Sequence, residues 1–545
     1  MTAVDIVRER VQTLLRTNLD SDQGIVCSPV SKRPSLLLHR LPGAGQTGVA
    51  LAKSLQSSLA DNDCVAVYGT SGCGKTRTCF EYLSQNHGLY LVADTMGNGG
   101  SQDLQYIVQR TLPGLKSGDQ RLNWENASSA FIYILVTRLM VFRRLLELHG
   151  NTITPHLWLL IQLYPIWFLG SDVFKEIALY LIDKKLAVDY QISASYNSLL
   201  SVVVIDEAQL LCEPCVYLRA EGTQSRPVLS PLACACGLVS PDLKVCVTGT
   251  GFTMTGLVRT ILVSPVMKFN PVYIMHDFGT VACLDDVNRL LEWAGFLSLV
   301  REEVKMAVVA VLRGRYRFAT TWIGTAIELG MDFAGALKAL VDAQLTLGNE
   351  ASNPSLATKV RSHLNKDSIV AGLVCKLAMD FFLAGKGVMY FSSEGSTSNG
   401  NPERTPQALV EHGICRLSGG SGAELSGAMV VLDEPLVAMA VHKCQSLMET
   451  ILNSMSGTTE SAMGFSFEPL VAFSLSRLLR TFTSYPAPFN RCFRLGCTSP
   501  SEYLTVAVRL PLVVWLERMD RGEATPVCCF PEEHRWNFAP IEMPF

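Results

Sequence analysis

An α/β fold built on a parallel sheet is predicted by three features of the sequence. Short, largely apolar runs at residues 65–68 (VAVY), 89–93 (LYLVA), 202–205 (VVVI) and 243–247 (LKVCV) have the length and β-branched content of strands buried on both faces. Helical spacing fills the intervals, most of all residues 100–198, which form a large helical insertion between the second and third strands. The first strand enters a glycine-rich loop and leaves it as a helix over residues 77–83 (RTCFEYL), the beginning of a sheet wound with crossover helices.

Downstream of about residue 280 the alternation stops. Residues 285–312 and 320–347 read as helices, followed by a polar linker at 348–356 and a Ser/Gly/Asn-rich one at 392–405. Residues 408–432 then have the order helix, strand, glycine-rich wing, strand. With 545 residues, about three domains are expected. The boundaries fall at 1–60 (N-terminal helix and linker), 61–280 (sheet domain with its insertion at about 100–198), 281–365 (helical lid), 366–440 (winged-helix-like region) and 441–545 (a partial α/β C-terminal domain).

Hydrophobic residues at 48% and charged residues at 17% suit folded rather than disordered chain. A net charge of −3 excludes broad nucleic-acid binding by bulk electrostatics and leaves only a local basic patch for it. The first eighteen residues form a charged amphipathic helix rather than a signal peptide. The apolar segments 130–142 and 156–169 fall short of the roughly twenty residues a bilayer span needs. An intracellular protein, in cytoplasm or nucleus and without a membrane partner, is therefore expected. The 17 cysteines fit a reducing compartment. Cys212/Cys215 and Cys234/Cys236 lack the spacing and nearby histidines of a zinc site and read as small buried hydrophobes.

The chemistry begins at Gly69-Thr70-Ser71-Gly72-Cys73-Gly74-Lys75-Thr76, which satisfies the phosphate-loop pattern G-x-x-x-x-G-K-[ST], or Walker A, at every fixed position. Its glycines let backbone N–H groups converge on phosphate oxygens, and the following helix adds its positive N-terminal end. Lys75 is expected at the β- and γ-phosphates and Thr76 on Mg²⁺, with Arg77 counted in the nucleotide-binding set. Residues 202–209 (VVVIDEAQ) supply the Walker B half: Asp206 for the Mg²⁺ shell and Glu207 as the general base that polarises the attacking water. The pair places the chain among P-loop NTPases with an added catalytic glutamate. After the next strand, Thr248 is the first choice for a residue facing the γ-phosphate or lytic water, and Thr250 the second.

The charge that develops on the transferred phosphoryl group calls for an arginine. Arg259 follows the Thr248 strand, and Arg313, Arg315 and Arg317 cluster at a helix start, with Arg315 or Arg317 the expected catalytic one. Glu468 opens a further amphipathic helix, where a lone acid most simply complements the helix dipole. The site thus calls for ATP and Mg²⁺.

Several stretches in order resemble the Crinkler-RHS type of effector and transposon-derived proteins: residues 67–78, 88–90, 97–104, 160–165, 202–209, 248–251, 314–318 (GRYRF) and 432–437 (LDEPLV). That resemblance implies an AAA+/STAND-like ATPase module with a C-terminal nuclease of restriction-endonuclease type. Glu468 matches the first nuclease acid, and Phe530-Pro531-Glu532 the lead-in to the later ones. No Asp followed by an acid-x-Lys comes after it, so the resemblance implies a truncated, inactive nuclease-like domain. The expected function is ATP binding and hydrolysis as a regulatory switch for that appended domain. The alternatives are a non-hydrolysing nucleotide-binding scaffold and an ATP-dependent nuclease acting on DNA. Partners behind the nucleotide are a protein, a second copy of the chain in a homo-oligomer, and, on weaker grounds, DNA.

Overall fold

The strands foreseen at 65–68, 89–93, 202–205 and 243–247 all form, and they pair into one sheet. A computed structural model describes residues 36–41, 45–94, 101–112, 120–184, 200–212, 214–219, 225–250, 272–347, 354–365, 368–384, 386–390, 406–419, 428–444, 527–528 and 541–542. Two units divide the chain, the first ending at Phe278 and the second starting at Gly279.

In the first unit, β1 (Cys64–Tyr68), β2 (Leu89–Val92), β3 (Val202–Asp206), β6 (Lys244–Gly249) and β7 (Tyr273–Met275) form a parallel sheet in the order β2-β3-β6-β1-β7. A small antiparallel pair, β4 (Pro214–Arg219) and β5 (Ser225–Pro227), follows β3. Every residue of β1 and β3 is buried, as continuous apolar runs in a parallel sheet require. Helices α1 (Gly45–Asp61) and α2 (Lys75–Leu83) cover one face, with Ala52, Leu55, Leu59, Phe80 and Leu83 packed on Val65, Val67, Tyr90, Val202 and Val204. The sequence-based boundary at residue 60 is therefore corrected, because α1 and the buried Leu38 and Leu41 belong to the sheet domain's own core.

The described part of the insertion between β2 and β3 is helical: α3 (Gln102–Tyr106) continuing into a π-turn, α4 (Gln120–His149), α5 (Pro155–Leu163), α6 (Pro165–Leu169) and α7 (Val173–Lys184). Thr154 caps α5 by accepting from Leu157 N, and Pro155 takes the first helical position, where its missing N–H costs nothing. A buried polar brace fastens the insertion to the sheet. Arg138 of α4 donates to both carboxylate oxygens of Asp103 at 2.9 Å and to the carbonyl of Tyr90 at 3.1 Å, and lies 4.7 Å from the Phe174 ring centre. Gln162 of α5 accepts from Tyr90 N at 2.9 Å and donates to Gly88 O. After β5 comes α8 (Leu229–Val239), which buries Cys234 and Cys236 as core residues; burial pushes the Cys236 thiol up to about 12.

The second unit holds α9 (Leu284–Ala294), α10 (Glu302–Leu312), α11 (Tyr316–Glu328), α12 (Phe333–Leu345), α13 (Leu356–Leu364) and α14 (Ser368–Ala384). The two long helices expected over 285–312 and 320–347 are each broken. Gly295 and the pair Gly330-Met331 take positive φ, which ends a helix in the left-handed cap conformation. Then come β8 (Gly387–Tyr390), α15 (Pro406–Glu411), β9 (Arg416–Ser418), β10 (Met429–Leu432) and α16 (Pro435–Cys444), the strands forming an antiparallel sheet in the order β8-β10-β9. Because α16 packs on α10, α12, α13 and α14, the segments on either side of the expected boundary at 365 share one core. Near the C-terminus the description is confined to a paired Val527–Cys528 and Ile541–Glu542. Glu468, the segment at 530–532 and the expected linker at 392–405 lie outside the described residues, as do residues 1–35 and Arg259. Among the described residues no helix is long and apolar enough to cross a membrane.

Candidate nucleotide-binding site

The loop from Gly69 to Gly74 joins β1 to α2 at the carboxyl edge of the sheet, where open α/β sheets place their ligands. Gly72 and Gly74 have φ of 85° and 117°, backbone that side-chain-bearing residues rarely adopt, so the loop can curl only with glycine at both places. Cys73 N closes the turn on Thr70 O at 3.3 Å, and Cys73 Sγ would sit 3.0 Å from any Cβ at Gly69. Lys75 starts α2, and its ammonium lies over the loop, donating to Gly69 O at 2.7 Å and Thr70 O at 2.8 Å.

The strand order brings the other half of the site beside this loop. β6 lies between β1 and β3, with Val67 paired to Thr248 and Ile205 to Val247, so the ends of all three strands converge. Thr76 Oγ1 donates to Asp206 Oδ2 at 2.9 Å across 130 positions of sequence. Asp206 is buried and also accepts from Tyr90 Oη at 2.6 Å and Glu207 N at 2.9 Å. Burial pushes its carboxyl above the usual carboxylate range, with the nearby Glu207 adding to the rise, while the Tyr90 and Thr76 hydroxyls work against it.

These named donors to Asp206 are neutral, and Thr76 and Asp206 are oxygen ligands of the kind Mg²⁺ takes, so the residues fit a divalent cation that would supply the missing positive charge. Two further hydroxyls, Thr70 Oγ1 in the loop and Thr248 Oγ1 in β6, are buried without a hydrogen-bond partner among the described residues. Such groups each cost about 1–3 kcal/mol unless something polar meets them.

Glu207 follows Asp206 in a left-handed conformation (φ 54°, ψ 33°) and begins a short 3₁₀ turn, Ala208–Leu211. Its carboxylate accepts from Gln209 Nε2 at 2.5 Å, and Gln209 Oε1 in turn accepts from Thr250 N at 3.2 Å.

Two of the expected site residues turn out to have other work. Arg77 points away from the loop: its guanidinium donates to the carbonyls of Leu37 at 2.7 Å and His39 at 2.9 Å and pairs with the buried Glu81 at 2.5 Å. It straps residues 36–41 to α2, a role fixed by its position one turn before Glu81 on the helix. Arg315, in the second unit, is buried and held by the Glu434 carboxylate at 2.7 and 2.9 Å and by Gly413 O at 2.7 Å. Arg317, two residues on, is exposed. Tyr90 and Gln209 were not foreseen as site residues. Tyr90 had a readable signal, since Val92 is the register partner of Asp206 and a tyrosine two places back shares its face.

The first unit thus has a parallel α/β fold with a phosphate-loop-like turn at the carboxyl edge of its sheet. A solved structure similar to this chain is the Walker-type ATPase PABY2304 of Pyrococcus abyssi, at 14% identity and a TM-score of 0.42, over 75% of this chain and 100% of that chain. No family model and no curated protein matches the sequence.

Proposed function

We propose that the chain binds and hydrolyses ATP at the site between β1 and β3, and that this reaction serves as a switch. The observation that carries the reading is the hydrogen bond from Thr76 to Asp206, which joins the Walker A and Walker B segments into one polar cluster. In this reading the loop amides from Gly69 to Thr76 and the Lys75 ammonium bind the β- and γ-phosphates. Thr76 and Asp206 would hold Mg²⁺, which would supply positive charge beside the phosphates when bound. Glu207 takes a proton from water as its oxygen bonds to the γ-phosphorus and the bond to the bridging oxygen breaks, releasing ADP and phosphate. The Thr248 hydroxyl orients that water. Arg315 is committed to Glu434 and drops out as the group that offsets the developing charge.

The helix–strand–helix–strand–strand order of α14, β8, α15, β9 and β10, with its β8-β10-β9 sheet, supports a winged-helix-like module in the second unit. An AAA+/STAND-like switch of Crinkler type would use that module to pass the nucleotide state to the C-terminal region. Isothermal calorimetry and phosphate release test the core of this reading. Lys75→Ala should lose Mg·ATP binding, and Glu207→Gln should keep it while turnover falls about 100-fold or more. Normal Mg·ATP affinity in Lys75→Ala would sink the assignment.

A further inference from the structure

Glu207 is doubly constrained. Its backbone has left-handed φ, uncommon for any residue with a side chain, and the turn that follows is closed by Leu210 N on Glu207 O at 3.1 Å and Cys212 N on Gln209 O at 3.1 Å. That turn sets Gln209 with its amide between the Glu207 carboxylate and the backbone N–H of Thr250. The two ends of the amide are not interchangeable here: the NH₂ faces a carboxylate and the carbonyl faces a donor. Of the side chains of this length, only glutamine meets both demands, because glutamate would set two acceptors against each other at 2.5 Å. Thr250 stands just past β6, the strand that carries Thr248.

We propose that Gln209 is the positioning residue of the hydrolytic glutamate, fixing the direction of the Glu207 carboxylate and tying it to the chain just beyond Thr248. A shift at the end of β6 then moves the carboxylate that Gln209 holds, so the residue that meets the lytic water and the residue that takes its proton change together. The inference rests on the ATPase reading above.

The test uses the full chain in five forms: wild type, Gln209→Ala, Gln209→Glu, Glu207→Gln, and Gln209→Ala combined with Glu207→Gln. Turnover, KM, the calorimetric Kd for Mg·ATP and the melting temperature are measured for each. Gln209→Ala should lower kcat about 10- to 100-fold, the scale of a misplaced catalytic group, with KM and Kd within about twofold of wild type. Gln209→Glu should do no better, since it lacks the donor. In the Glu207→Gln background, adding Gln209→Ala should cost nothing further, because there is no longer a carboxylate to aim. A kcat that is unchanged or higher in Gln209→Ala, a Kd that rises in step with the loss, or a full multiplicative loss in the double variant overturns the proposal. If Glu207→Gln is dead while Gln209→Ala is fully active, only this inference falls. A wild-type chain without turnover removes the ATPase reading and this inference with it.

Discussion

Arg315 and Glu434 are joined by their side chains and by the backbone, although 119 positions separate them. The guanidinium Nε lies 2.9 and 2.7 Å from the two carboxylate oxygens, Nη2 lies 2.5 Å from Oε2, and Arg315 N donates to Oε1 at 3.1 Å. Gly314, at φ 119°, has no Cβ to keep the two segments apart; one would fall 2.3 Å from Glu434 Cγ. Next to this pair, Arg416 is bidentate on Asp433, and Arg313 approaches Asp433 O. The arginine-rich and Asp-Glu-Pro segments noted separately in the sequence therefore make one polar seam inside the second unit.

Removing one partner of a buried pair strands the other. Glu434→Ala should destabilise the second unit by about 3–5 kcal/mol in denaturant unfolding. Gly314→Ala should also destabilise it, through the forced φ and the clash with Glu434. A Glu434→Ala loss under about 1 kcal/mol would mean that Arg315 finds water instead.

The Arg138–Asp103 pair makes the same test in the first unit. Both side chains are about 1% exposed, so Arg138→Met alone leaves a buried carboxylate and should cost about 3–5 kcal/mol. The joint replacement Arg138→Met with Asp103→Leu should recover much of that loss in the same unfolding measurement, since neither charge is then left stranded.

Tyr90 holds Asp206 from the neighbouring strand. Burial and the Asp206 charge both push the phenol up, so it remains a donor at any working pH. Tyr90→Phe should leave the fold intact, since the ring packs against Phe80 and only the hydroxyl is lost. Asp206 then loses one of the hydrogen bonds that favour its charged form, and the Mg²⁺ concentration needed for half-maximal nucleotide binding should rise about tenfold. An unchanged Mg²⁺ titration would remove Tyr90 from the site.

Much of the site was legible because its signals are local. Glycines at 69, 72 and 74 before Lys75-Thr76, and four apolar residues before Asp206-Glu207, are constraints that one short segment carries alone. What escaped notice depends on tertiary placement. Tyr273–Met275 is three residues long and becomes a strand only by pairing with β1 at the sheet edge. Arg77 and Arg315 satisfied the composition of a phosphate site, yet each found a buried acid first: Glu81 four residues on, and Glu434 across the second unit. An arginine's charge is visible in sequence, whereas its partner is decided by packing. Gln209 went unremarked because a glutamine after two acids has no signature until the turn places it against Thr250.

Thr248 offers the sharpest separation of function from stability. Its hydroxyl is fully buried and without a hydrogen-bond partner among the described residues, so it costs stability unless something polar meets it. Valine keeps the β-branched shape and discards that cost. Thr248→Val should therefore raise stability by about 1 kcal/mol, read as a higher melting temperature without nucleotide. If the hydroxyl meets the lytic water or the γ-phosphate, the same variant should lose about 10- to 100-fold in kcat, with Mg·ATP affinity changed far less. Stability gained at the expense of turnover is the pattern of a polar group retained for chemistry. A variant both more stable and fully active would show that Thr248 serves neither the nucleotide nor the water.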